Sequence, residues 1–194
     1  MNDLDIINSF YGWTYTQCIN SPESTAKQLI DYLLENKFTI ACAESCTGGL
    51  VSHFLTHIPG VSEVFLEGVV SYSNHAKTSR LGVPSGLIKK YGAVSSEVAA
   101  AMAEGICTTS GADVGIATTG IAGPGGGSED KPVGTVWVGV CTKDKVFTKQ
   151  LEAKEGERAE IQFYSAVAAL RLAAICLVNY PRINHLGLQF KLLT

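Results

Sequence analysis

Apolar residues fall at helical spacing soon after Ser21-Pro22-Glu23-Ser24, where Ala26, Leu29, Ile30, Leu33 and Leu34 share one face. Serine caps a helix and proline is tolerated in its first turn, so a helix is expected to open here. Phe38–Ala43 (FTIACA) is a short apolar run held between Lys37 and Glu44, the pattern of a buried strand. The helical pattern returns over Gly49–Ile58 and stops at Pro59-Gly60, and a second strand follows in Val64–Tyr72. A strand, a crossover helix and a strand within roughly 35 residues predict a parallel βαβ unit.

Two short helices are expected next, near Asn74–Leu81 and Pro84–Lys90. Then comes a long alanine-rich helix over Ser95–Thr108, with Glu97 early, where the helix dipole favours it. Asp113–Thr118 (DVGIAT) reads as a third buried strand, and the glycine-rich stretch Gly120–Gly127 follows it at once. Val133–Cys141 and Val146–Leu151, joined by Thr142-Lys143-Asp144-Lys145, predict an antiparallel hairpin. A last helix over Glu157–Val178 turns Ile161, Ala168, Leu172 and Ile175 inward and is expected to end at Pro181. The chain therefore reads as an α/β domain of three layers, a mixed and mostly parallel sheet with helices on both faces. No internal repeat or low-complexity linker interrupts it. The domain is assigned to residues 21–180, with an extension over 1–20 and a tail over 181–194.

The 194 residues, 46% of them apolar, suit one domain with a full core. A net charge of -3 and a pI near 5.8 give no general attraction for a polyanion, so no nucleic-acid partner is expected and any bound anion must be gripped locally. No unbroken apolar run approaches the ~18 residues of a membrane span. Residues 1–20 lack the basic-then-apolar order of a signal peptide, so a cytoplasmic protein without membrane attachment is expected. The cysteines at 18, 42, 46, 107, 141 and 176 form no CxxC pair and mostly sit in apolar stretches, so they are read as free buried thiols.

In open α/β sheets, ligands sit where strands lead into loops at their carboxyl ends. Three such loops carry the candidate chemistry. In the first, Ala43–Gly49, the Ser45 hydroxyl stands before Gly48-Gly49 and a helix N-terminus whose N–H groups suit an oxyanion or an anionic substrate group. Helix capping by Ser45 or Thr47 is the competing reading. In the second, Ser71–Lys77, Lys77 is the candidate base, because a lysine desolvated in a cleft has its pKa lowered. Tyr72 is read as a relay or support for that amine. A solvated lysine and a packed tyrosine are the alternatives. None of the four histidines stands in a triad-like arrangement. The third loop has five glycines in the eight residues 120–127 and lets backbone approach a phosphate or ring, or is a plain turn. It matches neither GxGxxG nor the P-loop. Arg158, in Gly156-Glu157-Arg158, either forks onto a phosphate or pairs with Glu155 or Glu160.

At these residues the sequence resembles the nicotinamide mononucleotide deamidase, or CinA C-terminal domain, family. The resemblance rests on AESCTGG (43–49), GVVSYSNHAKTSRLGV (68–83), YGAVSSEVAAAMAEG (91–105), TGIAGPGGGSEDKPVGTVWVGV (119–140) and GER (156–158). It implies hydrolysis of the nucleotide's carboxamide to nicotinic acid mononucleotide and ammonia, without metal or organic cofactor, in a homo-oligomer. It also implies that Ser45 is the nucleophile, that Tyr72 and Lys77 are its catalytic partners, and that Thr119 and Arg158 meet the substrate. Backbone at Thr47, Gly48 and Gly49 or at Gly120, Ile121, Ala122 and Gly123 is expected to hold the oxyanion or the phosphate. Gln162 departs from the family, whose members often carry an arginine there. Three rival readings are open: a non-catalytic nucleotide-binding module, an amidase for another small amide, and a hydrolase using Cys46.

Overall fold

In the computed structural model, which describes residues 22–152 and 156–183, three strands run parallel: β1 (Ile40–Glu44), β2 (Phe65–Val70) and β3 (Val114–Gly120), with β1 in the middle. β4 (Thr135–Cys141) is antiparallel to β3, and β5 (Val146–Glu152) is antiparallel to β4, so β4 alone is reversed in the order β2-β1-β3-β4-β5. Helices α1 (Pro22–Asn36), α2 (Leu50–Thr56) and α6 (Arg158–Ile183) cover one face. Helices α3 (Asn74–Leu81), α4 (Ser85–Tyr91) and α5 (Ser96–Ser110) cover the other. This is the three-layer α/β architecture expected from the sequence. The extension over 1–20 and residues 184–194 of the tail lie outside the described residues.

The two faces differ because strand side chains alternate. Ile40, Cys42, Val114 and Ile116 point into the core shared with α1, α2 and α6, where bulky residues fill the space. Ala41, Ala43 and Ala117 point toward α5, which lies almost on the sheet backbone. A Cβ on Gly115 would run into the Ala103 carbonyl oxygen, and one on Gly139 into that of Ala99. Alanine is ordinarily the better strand residue. Gly139→Ala is nevertheless expected to lower stability by about 1–3 kcal/mol, because the helix must lift to admit the methyl group. A urea unfolding midpoint no lower than wild type at unchanged slope would contradict this packing.

Four local differences from the sequence reading matter. β3 runs two residues further than expected, so Thr119 and Gly120 are strand residues opposite Trp137 and Val136, and the loop starts at Ile121. β2 is an edge strand with Leu66, Glu67 and Val70 exposed. In α6, Ile161, Ala168 and Leu172 are buried but Ile175 is only partly so. The helix also continues past Pro181 to Ile183, although proline lacks the N–H of an i→i−4 bond there and its ring crowds the carbonyl of residue 177. Arg158–Leu177 is long and apolar enough to span a bilayer, yet 67% of its apolar 18-residue window is buried in the domain, as in a core helix.

Candidate active site

The same alternation that builds the core aims the site. Ile40 and Cys42 face α2 and α6, so Glu44, the next residue in that register, points beneath the start of α2. Glu44 is fully buried, and its carboxylate gathers five hydrogen bonds. Oε2 accepts from Thr47 Oγ1 (2.7 Å), Gly49 N (2.9 Å) and Val51 N (3.1 Å). Oε1 accepts from Ser52 N (2.8 Å) and Ser52 Oγ (2.7 Å). A carboxylate at a helix N-terminus is favoured by the dipole and satisfies the orphan amides. The helix start expected to receive substrate is thus occupied by the protein's own acid.

That bonding fixes the turn holding Ser45. Thr47 Oγ1 also lies 2.7 Å from Thr118 Oγ1, and Thr118 accepts a long 3.5 Å contact from Ser45 N. Gln162 Nε2 donates to the Cys46 carbonyl at 2.8 Å and ties the same turn to α6. Gly48 and Gly49 have φ of 64° and 109°, a left-handed path that other residues resist, and this accounts for the glycine pair. The Gly48 amide bonds the Ser45 carbonyl at 3.2 Å. Thr47, Gly48 and Gly49, one of the two backbone sets expected to hold the oxyanion or the phosphate, build this turn.

Lys77 sits one helical turn before Leu81 on the buried face of α3, a helix capped by Ser73 and closed at Gly82. It is 1% exposed, and its Nζ lies 2.8 Å from Ser45 Oγ, 2.9 Å from the Ser71 carbonyl and 3.4 Å from the Tyr72 carbonyl. Among the described residues no carboxylate forms an ion pair with it. Burial pushes the Lys77 pKa down, against a smaller upward pull from the neighbouring Cys46. In this cage Nζ donates to the two carbonyls and lies within hydrogen-bond reach of the Ser45 hydroxyl, which accepts from it here.

The cleft above Ser45 has a volume of about 190 Å³. Its walls are Ser45, Cys46, Tyr72, Asn74, Lys77, Ala93, Val94, Thr119, Gly120, Ala122 and Arg158. All three candidate loops therefore meet at one sheet edge. Thr119, on the α5 side of β3 by alternation, donates to the Ala93 carbonyl at 2.7 Å and sets that wall. Lys131 donates to the Tyr91 and Val94 carbonyls at 2.9 and 2.7 Å, clamping the glycine-rich loop to the same wall. Arg158 crosses the mouth, with Nη1 on the Gly123 carbonyl (2.7 Å) and Nη2 on the Tyr72 hydroxyl (3.0 Å), rather than pairing with Glu160.

Two expectations change. Tyr72 is 62% exposed at the rim with its hydroxyl on Arg158, and Lys77 contacts Ser45 directly, so the phenol does not stand between the two as the relay reading expects. Ile121 is tied by backbone to Thr135 and Gly134, and Gly123 offers its carbonyl to Arg158, which leaves Gly120 at the end of β3 and Ala122 in the loop on the cleft. Glu44, Thr118, Asn74, Lys131 and the contact from Gln162 were not singled out from the sequence. Glu44, Asn74 and Lys131 lie inside the matching strings 43–49, 68–83 and 119–140, which is the one signal the sequence offers for them. The Cys46 thiol is buried and its pKa is pushed up to about 12, chiefly by desolvation, which disfavours the thiolate a cysteine hydrolase needs.

Comparison with known proteins identifies the family. The family model described as the CinA C-terminal domain matches residues 22–177. A competence-damage inducible protein of Clostridium acetobutylicum is 56% identical over 130 residues, 67% of this chain and 31% of that protein. One from Clostridium beijerinckii is 47% identical over 164 residues, 84% of this chain and 39% of that protein. The chain thus spans about a third of the length of the curated relatives it matches. Among solved structures, a competence/damage inducible protein from Agrobacterium tumefaciens superposes with a TM-score of 0.79 at 38% identity, covering 81% of this chain and 96% of that one. A CinA superfamily protein from Escherichia coli gives 0.76 at 32% identity, covering 79% and 90%. The chain belongs to the CinA C-terminal domain family.

Proposed function

We propose that this domain is an amidohydrolase that removes ammonia from nicotinamide mononucleotide, with Ser45 as nucleophile and Lys77 as general base. The 2.8 Å contact between Ser45 Oγ and a buried Lys77, whose pKa burial pushes down, carries the reading. A helix cap needs no such amine, and burying a lysine is costly unless something uses it. Lys77 takes the Ser45 proton as Oγ attacks the carboxamide carbon, and the same ammonium then protonates the departing ammonia. Water, deprotonated by Lys77, cleaves the acyl-enzyme. The Cys46 amide adjoins the nucleophile and is not among those Glu44 takes, which makes it the first candidate oxyanion donor.

The choice of substrate rests on the family resemblance together with the cleft's size. Sites that enclose a drug-sized ligand run to about 300–1,000 Å³. About 190 Å³ takes a ring and its amide and leaves ribose and phosphate on the rim, where Arg158 stands. A panel of nicotinamide, its riboside, its mononucleotide and glutamine tests the assignment by ammonia release. Turnover of glutamine alone would make this an amidase for another substrate, and no turnover at all would leave a binding module. Charge-assisted hydrogen bonds contribute about 1.5–3 kcal/mol each, so Arg158→Ala is expected to lower kcat/KM for the mononucleotide by about 10- to 10²-fold. The riboside should change little. An unchanged ratio between the two substrates would clear Arg158 of reading the phosphate.

A further inference from the structure

Two thiols far apart in the sequence meet on the α5 side of the sheet, away from the cleft residues. Cys107 lies near the end of α5 and Cys141 is the last residue of β4, and both are half-buried. Cys141 pairs in register with Gly115, and Cys107 Sγ lies 2.7 Å from the point where a Gly115 Cβ would stand. Directly opposed residues on antiparallel strands hold their Cβ positions about 4.5–5.5 Å apart. The missing side chain at Gly115 therefore lets the Cys107 sulfur settle beside Cys141, whose own Sγ donates to the Thr142 carbonyl at 3.5 Å.

The thiol neighbour raises the Cys107 pKa, with burial and the Asp113 and Glu104 carboxylates adding to the rise. The same neighbour lowers the Cys141 pKa, against opposing effects of burial and Glu104. Cys42, Cys46 and Cys176 are buried instead, each with its pKa raised by desolvation. Reactivity follows thiolate character and access, so access sets Cys107 and Cys141 apart from the three buried thiols, and the lowered pKa sets Cys141 apart from Cys107.

We propose that Cys107 and Cys141 form a modifiable pair that a peroxide closes into an intramolecular disulfide, tying the end of α5 to β4. The Cys141 thiolate attacks one oxygen of the peroxide. The O–O bond breaks, and for hydrogen peroxide the leaving hydroxide takes up a proton as water, leaving a sulfenic acid on Cys141. The Cys107 sulfur then attacks the Cys141 sulfur, the S–O bond breaks, and a second water leaves with the Cys107 proton. The two thiols supply the two electrons that reduce peroxide to two waters.

The test is oxidation of the purified chain with stoichiometric hydrogen peroxide, alkylation of the remaining thiols, and mass spectrometry of a non-reduced digest. A linked peptide pair containing Cys107 and Cys141 is expected, lighter by two hydrogens and separated again by dithiothreitol. Cys42, Cys46 and Cys176 should be alkylated as in the untreated protein. The linked form should melt several degrees higher, because the bond restricts the unfolded chain. In Cys107→Ser the link cannot form, and Cys141 should accumulate as a sulfenic acid that dimedone traps. Oxidation of other thiols while Cys141 stays free would overturn the proposal. So would a link from Cys141 to any residue other than Cys107, or sulfinic acid on Cys141 with Cys107 still free. Mapping of the wild-type digest decides this even if the variant fails to fold.

Discussion

Lys77→Met is expected to lower turnover of nicotinamide mononucleotide by at least about 10³-fold, because it removes the group that activates the nucleophile and protonates the leaving ammonia. Ser45→Ala should be as damaging. The double variant should be little worse than either, since residues acting as one unit are far from additive. Methionine approximates the length of the lysine stem and keeps α3 packed beside Leu81, so loss of activity without loss of fold is the informative outcome. The wild-type rate should fall about tenfold per pH unit on the acid side of the Lys77 pKa, because only the neutral amine accepts a proton. Retention of more than about a hundredth of the rate in Lys77→Met would sink the assignment, given the 10²- to 10⁴-fold ordinarily supplied by a general base. A flat pH–rate profile with chemistry limiting would do the same.

The lowered Lys77 pKa also makes a claim about stability. Folding depresses this pKa below the ~10.4 of a free lysine, so between the two values the unfolded chain binds more protons than the native one. Stability contributed by this group therefore rises with pH across that window and is lowest below the folded pKa. Subtracting the Lys77→Met pH–stability curve from that of wild type removes the other titrating groups. The difference should slope upward there, and a flat difference would mean that the amine is not desolvated as the cage implies.

The sequence made the order of strands and helices legible because period and punctuation coincide. FTIACA is bounded by charge, Pro59-Gly60 ends a helical pattern, and the hairpin turn is polar. Ser45 and Lys77 were legible as chemistry, since a strand-end serine lacked a histidine partner and a lysine stood on the next loop. What could not be read was direction. Tyr72 lies two residues beyond β2 and turns to the rim, while Lys77 five residues later turns inward, because the helix phase set by Leu81 decides the second and nothing local decides the first. Thr118 and Thr119 are neighbours of like chemistry, yet pleating sends one to the nucleophile turn and the other to Ala93. Cys107 and Cys141 meet only because α5 lies on β3 and β4 through glycines, a tertiary contact without any spacing signature.

Glu44 is the largest such omission, and it carries the second large effect. Its bonds reach residues three to eight positions ahead, a range that matches no capping motif, so by spacing it reads only as the charge that ends a strand. Glu44→Ala would leave three helix-start amides and two hydroxyls facing an empty buried space. An unsatisfied buried polar group costs about 1–3 kcal/mol, but water entering the new space would serve some of them, so a loss of about 3–5 kcal/mol is expected rather than the full sum. Glu44→Gln keeps the shape yet turns an NH2 group toward one set of donors, since Oε1 and Oε2 are both acceptors here, and should fall between alanine and wild type. In both variants the folded protein should also turn over more slowly, because the Ser45 turn hangs from Thr47 and the start of α2. Denaturant midpoints at constant slope measure the first effect. The rate per folded molecule, well below each midpoint, measures the second. If Glu44→Ala unfolds within about 1 kcal/mol of wild type, a typical surface-level change, the carboxylate does not hold this helix and the turn must be fixed elsewhere. If stability falls but the rate per folded molecule does not, Glu44 supports the fold without positioning Ser45.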